Sequence, residues 1–313
     1  MTARRSSAQR GAVPGPALQG AALGAAGLAF AVIGSPIRHS LSPLLHTTSF
    51  RALGINGTYL AHEVTAERAD AAVRALRELG YAGFNVTMPC KQAVMASLDE
   101  LSPEAELMGA VNTVARRGER LIGFNTDGAG ALRAIRAAGV ELDAVEDILV
   151  LGSGGASSAI YTQAAMEAVP RVSVFARPGS KNWEATRRRI AMLNERTSAR
   201  LELHRLDDPA HLAEAVAAAQ VIINGTNVGM APREEETVLD TDLLGPQHAV
   251  FDAVYNPLET RLLREAAAAG ATTICGLEML LWQAVLAEEI WLERSDIPVA
   301  AMREALSGAR RAG

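Results

Sequence analysis

The sequence predicts an α/β chain made of two units, the second of them a doubly wound parallel sheet. Three observations carry that prediction. Short apolar runs rich in β-branched residues alternate with helical stretches from residue 29 to residue 306. The run DILVL at 147–151 ends in a glycine-rich turn and leads into an apolar helical stretch, which is how a βαβ unit opens. Further strand-like runs at 171–175, 221–224, 250–252 and 272–275 recur with helical segments between them.

In order, residues 29–33 form a short buried strand that stops at Gly34, and a polar loop leads to a helix near 43–53. Residues 59–63 read as a second strand and 66–79 as a helix. A third strand is expected at 83–87, then a helix at 91–98 after Pro89, then strands at 110–116 and 121–124 around a turn at Gly118. Most of these strands are expected to be parallel. Residues 128–138 form a helix closed by Gly139, since glycine takes the left-handed conformation that ends helices. The second unit starts with the 147–151 strand and a helix at 156–168. The final helices, 277–292 and 298–306, are placed to pack back on the first unit and make it discontinuous. The predicted division is therefore residues 29–127 with 277–313, and residues 128–276 between them.

A chain of 313 residues with 49% hydrophobic content can bury a core large enough for two domains. Its net charge of -5 provides no basic surplus for a phosphate backbone, so nucleic acid is not expected as a partner. Cys90 and Cys275 are too few and too distant for a disulfide framework or a metal site, which points to a reducing cytoplasm and no metal. Residues 1–28 begin basic and turn to Ala, Gly and Pro. Pro14 and Pro16 interrupt any apolar helix there, and no run approaches the roughly 20 apolar residues of a membrane span. The segment reads as a flexible tail or a misassigned start, and no membrane association is expected.

Chemistry enters at the end of the 147–151 strand. Gly152, Ser153, Gly154, Gly155, Ala156 and Ser157 allow a tight turn whose backbone N–H groups approach a pyrophosphate at a helix N-terminus. Ser157 stands where a third glycine is usual. NAD-selective sites place an acid about 20 residues on, at the end of the second strand. Here that strand runs into Ala176, Arg177 and Pro178, with no acid. A guanidinium suits a 2'-phosphate and can stack on adenine, so NADP is favoured over NAD, although Arg177 also fits a plain surface turn.

Four stretches of the first unit carry polar residues where strands end. Ser40 and Ser42 lie in SPIRHSLSP, Asn85, Thr87 and Lys91 in NVTMPCK, Asn112 in GAVNT, and Asn125 and Asp127 in GFNTDG. Strand C-termini of an open α/β sheet converge on one crevice, so these stretches can form one site. Each also has a structural explanation. Ser42 can cap a helix whose first residue is Pro43, Asn112 can pair within its strand, and Asp127 can cap the helix from Gly128.

Together with GSGGAS, NGTNVGM, VYNP and GLEMLLWQ, these eight stretches follow the order found in shikimate dehydrogenases. The chain resembles that family from about residue 29 to about residue 306, and PIRHSLSP and SPEAELMGAVNT look most like its quinate/shikimate branch. The resemblance implies a discontinuous α/β substrate domain, a Rossmann NAD(P)-binding domain and a ring hydroxy acid as substrate. It implies a place in aromatic amino acid biosynthesis or quinate metabolism, and a monomer or homodimer. At matching positions it implies Lys91 and Asp127 as the catalytic pair and Ser40 and Ser42 as the holders of the substrate carboxylate. Thr87, Asn112 and Gln283 would bind ring hydroxyls, and Tyr255 would line the pocket. Met230 and Gly276 would border the nicotinamide.

The chemistry suits those residue types. Oxidising a secondary alcohol with a nicotinamide needs a base for the hydroxyl proton, and the reverse step needs an acid. Even as an ammonium, Lys91 stabilises developing oxyanion charge. His39 is read as ordering the serine loop, and Cys90 as packing. The family's Asn-Arg-Thr cluster after the second Rossmann strand survives only as Arg177, followed by Pro178 and Gly179. An amino-substituted analogue of the ring acid, and a non-catalytic dinucleotide-binding regulator, remain the alternatives.

Overall fold

Apolar runs such as AFAVI in the first unit and ILVL and VII in the second demand burial on both faces, and with more polar strands toward the edges they assemble into two six-stranded sheets. The computed structural model describes residues 27–311. The tail expected at 1–28 lies outside the described residues as far as residue 26, and Leu28 already belongs to the first strand.

The first unit runs β1 (Leu28–Gly34), α1 (Ser42–Ala52), β2 (Gly57–Glu63), α2 (Ala69–Glu78), β3 (Gly83–Val86), β4 (Glu100–Leu101), α3 (Pro103–Met108), β5 (Thr113–Arg117) and β6 (Arg120–Phe124). Its sheet order is β2-β1-β3-β5-β6-β4. β1 pairs in parallel with β2 and β3, whereas β5 is antiparallel to both β3 and β6, so this sheet is mixed.

After α4 (Asp127–Ala137) come β7 (Asp147–Leu151), α5 (Gly155–Met166), β8 (Arg171–Ala176), α6 (Trp183–Arg196), β9 (Arg200–Arg205), α7 (Pro209–Ala218), β10 (Val221–Asn224), β11 (Ala249–Asp252), α8 (Arg261–Ala268) and β12 (Thr272–Cys275). All pairs in this sheet are parallel, in the order β9-β8-β7-β10-β11-β12. That is a Rossmann-type doubly wound sheet, and its strand order reverses between β7 and β10. A crevice opens there because the β7 and β10 crossovers leave toward opposite sides.

α9 (Gly276–Leu292) and α10 (Val299–Arg311) carry the chain back to the first unit. Trp291 lies on the first sheet, where its Nε1 donates to the Val114 carbonyl at 2.9 Å and its ring meets Phe30. A Cβ on Gly83 would fall 2.4 Å from Trp291 Nε1, so only glycine lets α9 approach this closely. Each fully buried Phe in this layer, such as Phe30 and Phe84, contributes about 1.5–3 kcal/mol.

Several expectations need correction. Residues 91–98 are not an α-helix but turns with a 3-10 segment at Met95–Ser97. The Lys91 carbonyl is taken by Val111 N–H at 2.9 Å, and Met95 N–H goes to Gln92 instead, so the ladder cannot propagate. The strand expected from 110 begins only at Thr113, because Ala110 N–H is used in closing α3 onto the Ala105 carbonyl. α3 was missed although Ser102 caps it, with Oγ accepting from Ala105 N–H, and Pro103 follows at its start. α6 and β9 were missed as well, since RLELHR alternates charge and looks solvated.

Candidate active site

The serine loop enters α1 through Leu41, which is the N-cap, and Ser42 makes no capping hydrogen bond. Its hydroxyl is therefore not consumed by the helix end. Ser42 N–H donates to Ser40 Oγ at 3.3 Å, which ties the two serines together, and the Ser42 side chain hydrogen-bonds the buried Tyr59. Thr87 follows β3. A Cβ on Gly34 would fall 2.3 Å from Thr87 Cγ2, so the glycine ending β1 is what lets Thr87 sit there.

Lys91 and Asp127 meet directly, Nζ donating to Asp127 Oδ2. Their side chains are 28% and 15% exposed, at the surface of a cleft rather than in the core. Asp127 is the first residue of α4, where the helix dipole favours an anion. It does not cap that helix through its side chain. Its N–H donates to Asn125 Oδ1 at 3.1 Å, while its Oδ1 accepts Asn112 Nδ2 at 2.8 Å.

A cleft of about 600 Å³ joins these residues. Ser40, Ser42, Thr87, Lys91, Asn112 and Asp127 line one wall. Ser153, Gly154, Gly155 and Ala156, at the start of α5, line the other. Tyr255, Gly276 and Gln283 complete it. Gln283 is oriented by its Nε2 donating to the Leu280 carbonyl at 2.8 Å, and its own carbonyl accepts Thr126 Oγ at 3.0 Å. Gly130 makes this crossing of α4 and α9 possible, since a Cβ there would fall 2.7 Å from Gln283 N.

The remaining predicted residues lie away from the lining. Gly152 has φ +111° and no room for a Cβ, which would meet Ser157 Oγ and Thr226 Cγ2 at 2.8 Å each, so it serves the turn. The Ser157 side chain is fully buried and donates to the Gly225 carbonyl at 3.1 Å, stitching β7 to β10 at the switch point. Arg177 is exposed just beyond β8, and Met230 is 42% exposed on the loop after β10.

His39 lines the cleft beside the serines. Cys90 donates its thiol to the Val64 carbonyl at 3.2 Å, and burial, with the Glu67 charge, pushes the thiol's pKa up, consistent with packing. Among the described residues, no group of three or more His, Cys, Asp and Glu side chains is placed to hold a metal ion.

Sequence reasoning missed the inner polar layer. Tyr59, Thr113 and Thr126 are buried behind Asn85 and Asn112 and hydrogen-bond to them. It also missed Arg189 of α6, which lines the cleft, and Lys181, which is exposed on the loop that carries Arg177. Finding α6 would have flagged both; nothing local signals the buried residues, which look like ordinary strand formers.

Residues 32–114 match the model of the shikimate dehydrogenase substrate binding domain, and residues 276–306 match that of the shikimate 5'-dehydrogenase C-terminal domain. A shikimate dehydrogenase (NADP(+)) of Listeria monocytogenes is 40% identical over 278 residues, 88% of this chain and 94% of that protein. The chain belongs to the shikimate dehydrogenase family. Within that family, the crystal structure of the Listeria monocytogenes shikimate 5-dehydrogenase in complex with shikimate and NAD superposes with a TM-score of 0.87 at 38% identity, covering 91% of this chain and 98% of that one. The Corynebacterium glutamicum quinate dehydrogenase in complex with NAD superposes with a TM-score of 0.80 at 27% identity, covering 90% and 99%.

Proposed function

We propose that this chain is an NAD(P)-dependent oxidoreductase that interconverts shikimate and 3-dehydroshikimate, quinate and 3-dehydroquinate, or both. The observation that carries the reading is the Lys91–Asp127 contact, facing a cleft whose opposite wall is the glycine turn at the head of α5.

That turn fits a dinucleotide. The N-cap of α5 is Gly154, which brings no capping side chain to the first N–H groups of the helix. A Cβ on Gly155 would meet nothing within 4 Å, and one on Gly154 only the Gly225 carbonyl at 3.9 Å. The space beside the helix N-terminus suits a pyrophosphate, because the unpaired N–H groups and the dipole favour an anion. A nicotinamide bound there would supply the hydride acceptor or donor for the reaction.

In this reading the ring alcohol lies against Lys91. Lys91, backed by Asp127, takes the hydroxyl proton on oxidation and returns it on reduction. Ser40 and Ser42 hold the carboxylate, while Thr87, Asn112 and Gln283 bind ring hydroxyls and fix which carbon faces the cofactor. Tyr255 lines the pocket. Gly152, Ser153, Gly154, Gly155, Ala156 and Ser157 form the pyrophosphate turn, and Met230 and Gly276 border the nicotinamide. Residues 29–127 with 277–313 are the substrate-binding unit, and 128–276 the cofactor unit.

NADP is favoured over NAD because β8 ends without an acid and the loop beyond it carries Arg177 and Lys181. The name of the Listeria relative supports this; the two complexes with NAD keep NAD as the second possibility. For Arg177→Ala, the KM for NADP is expected to rise about tenfold, the scale of one charge-assisted contact, with the KM for NAD changed by less than about twofold. Equal effects on both cofactors would remove the arginine from 2'-phosphate recognition.

No helix among the described residues is long and apolar enough to cross a membrane. We place the enzyme in the cytoplasm, as a monomer or homodimer. The decisive assay is reduction of NAD and of NADP with shikimate and with quinate in turn, with amino analogues included. Oxidation of at least one ring acid is expected. Cofactor binding without turnover of any of them would favour a non-catalytic regulator.

A further inference from the structure

Behind the cleft, a row of buried side chains runs from β2 to the acid–base pair, and the hydrogen bonds along it have fixed directions; only the longer side contact between the Thr113 and Thr126 hydroxyls, at 3.4 Å, can run either way. Asn85 Nδ2 reaches the Asn112 backbone carbonyl at 3.2 Å, an atom that can only accept, so the Asn85 oxygen faces Tyr59 and accepts its phenol proton at 2.6 Å. Burial raises the Tyr59 pKa well above the ordinary tyrosine value, which keeps that proton in place. Asn85 Nδ2 also donates to Thr113 Oγ at 3.1 Å, leaving the Thr113 proton for Asn112 Oδ1 at 2.9 Å. At the far end, Thr126 N–H, which can only donate, reaches the same Asn112 oxygen at 2.8 Å. The Asn112 amide N–H is thereby turned to Asp127 Oδ1, with Lys91 on Oδ2.

We propose that Thr113 is a positioning residue for the Lys91–Asp127 pair: its hydroxyl is the central link of a one-way hydrogen-bond chain, Tyr59 to Asn85 to Thr113 to Asn112 to Asp127, that holds the Asn112 amide N–H on the catalytic carboxylate. This rests on the functional reading above. Thr113 is fully buried and is not among the residues lining the cleft, so it acts through Asn112 and Asn85, which both line it. Its neighbours in the chain each have a second anchor. Without its hydroxyl, Asn85 Nδ2 is left with the Asn112 carbonyl alone, and Asn112 Oδ1 depends on the Thr126 groups. The Asn112 amide then swings more freely, and the Asp127 carboxylate loses a fixed hydrogen-bond donor that helps hold it in place.

The test compares Thr113→Val, which keeps the shape and removes the hydroxyl, with Thr113→Ser, which keeps the hydroxyl and removes a methyl. For the valine variant, kcat is expected to fall about tenfold, the net worth of one buried hydrogen bond, with substrate and cofactor KM within about threefold. The side-chain amide proton resonance of Asn112 should also shift, because the amide has lost one of the bonds that orient it. The serine variant should restore kcat to within about twofold and return the resonance to its wild-type position. Wild-type kcat and an unmoved Asn112 amide resonance in the valine variant would overturn the proposal, as would equal impairment of the serine and valine variants. Should the valine variant not fold, Tyr59→Phe removes the donor to the Asn85 oxygen and must move the Asn112 amide resonance in the same direction, with substrate KM read beside it because the Ser42 side chain also bonds Tyr59. If the wild-type protein oxidises no ring acid, the functional reading fails by itself. The chain is then judged by the side-chain amide proton resonance of Asn112 in the unliganded protein, expected to shift in the valine but not the serine variant.

Discussion

Replacing Lys91 with alanine is expected to lower turnover by roughly two to four orders of magnitude, the usual share of a general acid/base. The substrate KM should change by less than about tenfold, because Ser40, Ser42 and the ring-hydroxyl residues remain. Two losses combine in this variant. The alcohol proton no longer has a placed acceptor, and developing negative charge on the ring oxygen loses the hydrogen-bond donor that Asp127 orients there. Packing predicts little damage to the fold, since Lys91 is part-exposed at the cleft and its segment is anchored by its backbone carbonyl to Val111. Single-turnover kinetics with shikimate and quinate, beside a melting curve, checks the prediction. Turnover within tenfold of wild type, in a folded variant, would remove Lys91 from the chemistry.

How far this was visible beforehand follows from which forces act locally. The parallel sheet was legible because strands buried on both faces need unbroken apolar runs, and DILVL, VIIN and AVFD have them, wholly or nearly so. β9 escaped because RLELHR is an edge strand, and its alternating charges suit an edge but resemble a solvated loop. The 91–98 segment misled for a different reason: a tertiary bond from Val111 captured the carbonyl that a helix needed. At the site, motif order singled out Lys91, Asp127, the serines and the glycine turn, whose residues Ser153 to Ala156 line the same cleft. Tyr59 and Thr113 stayed hidden, since each hydroxyl meets Asn85 on another strand, Thr113 linking it to the neighbouring Asn112, and spacing along one strand says nothing of such a cross-strand partner.

A second large effect is expected at the glycine turn. Gly155→Asp should raise the KM for either nicotinamide dinucleotide by about a hundredfold or more, because juxtaposed like charges cost several kcal/mol. The same substitution should leave the melting temperature unchanged or slightly higher. An acid in the first turn of α5 interacts favourably with the helix dipole, by about 0.3–1 kcal/mol, and a Cβ at Gly155 would meet nothing within 4 Å. The two readouts therefore move independently, which a purely structural turn cannot produce: a residue needed only for folding would lower stability and activity together. Gly155→Ala is the control, adding volume without charge, and its cofactor KM should lie between the two. Isothermal titration with NADP and with NAD, on variants matched for melting temperature, makes the comparison without relying on turnover. If the aspartate variant bound both dinucleotides as the wild type does, the N-terminus of α5 would not be where the pyrophosphate lies, and the cleft opposite Lys91 would need another occupant.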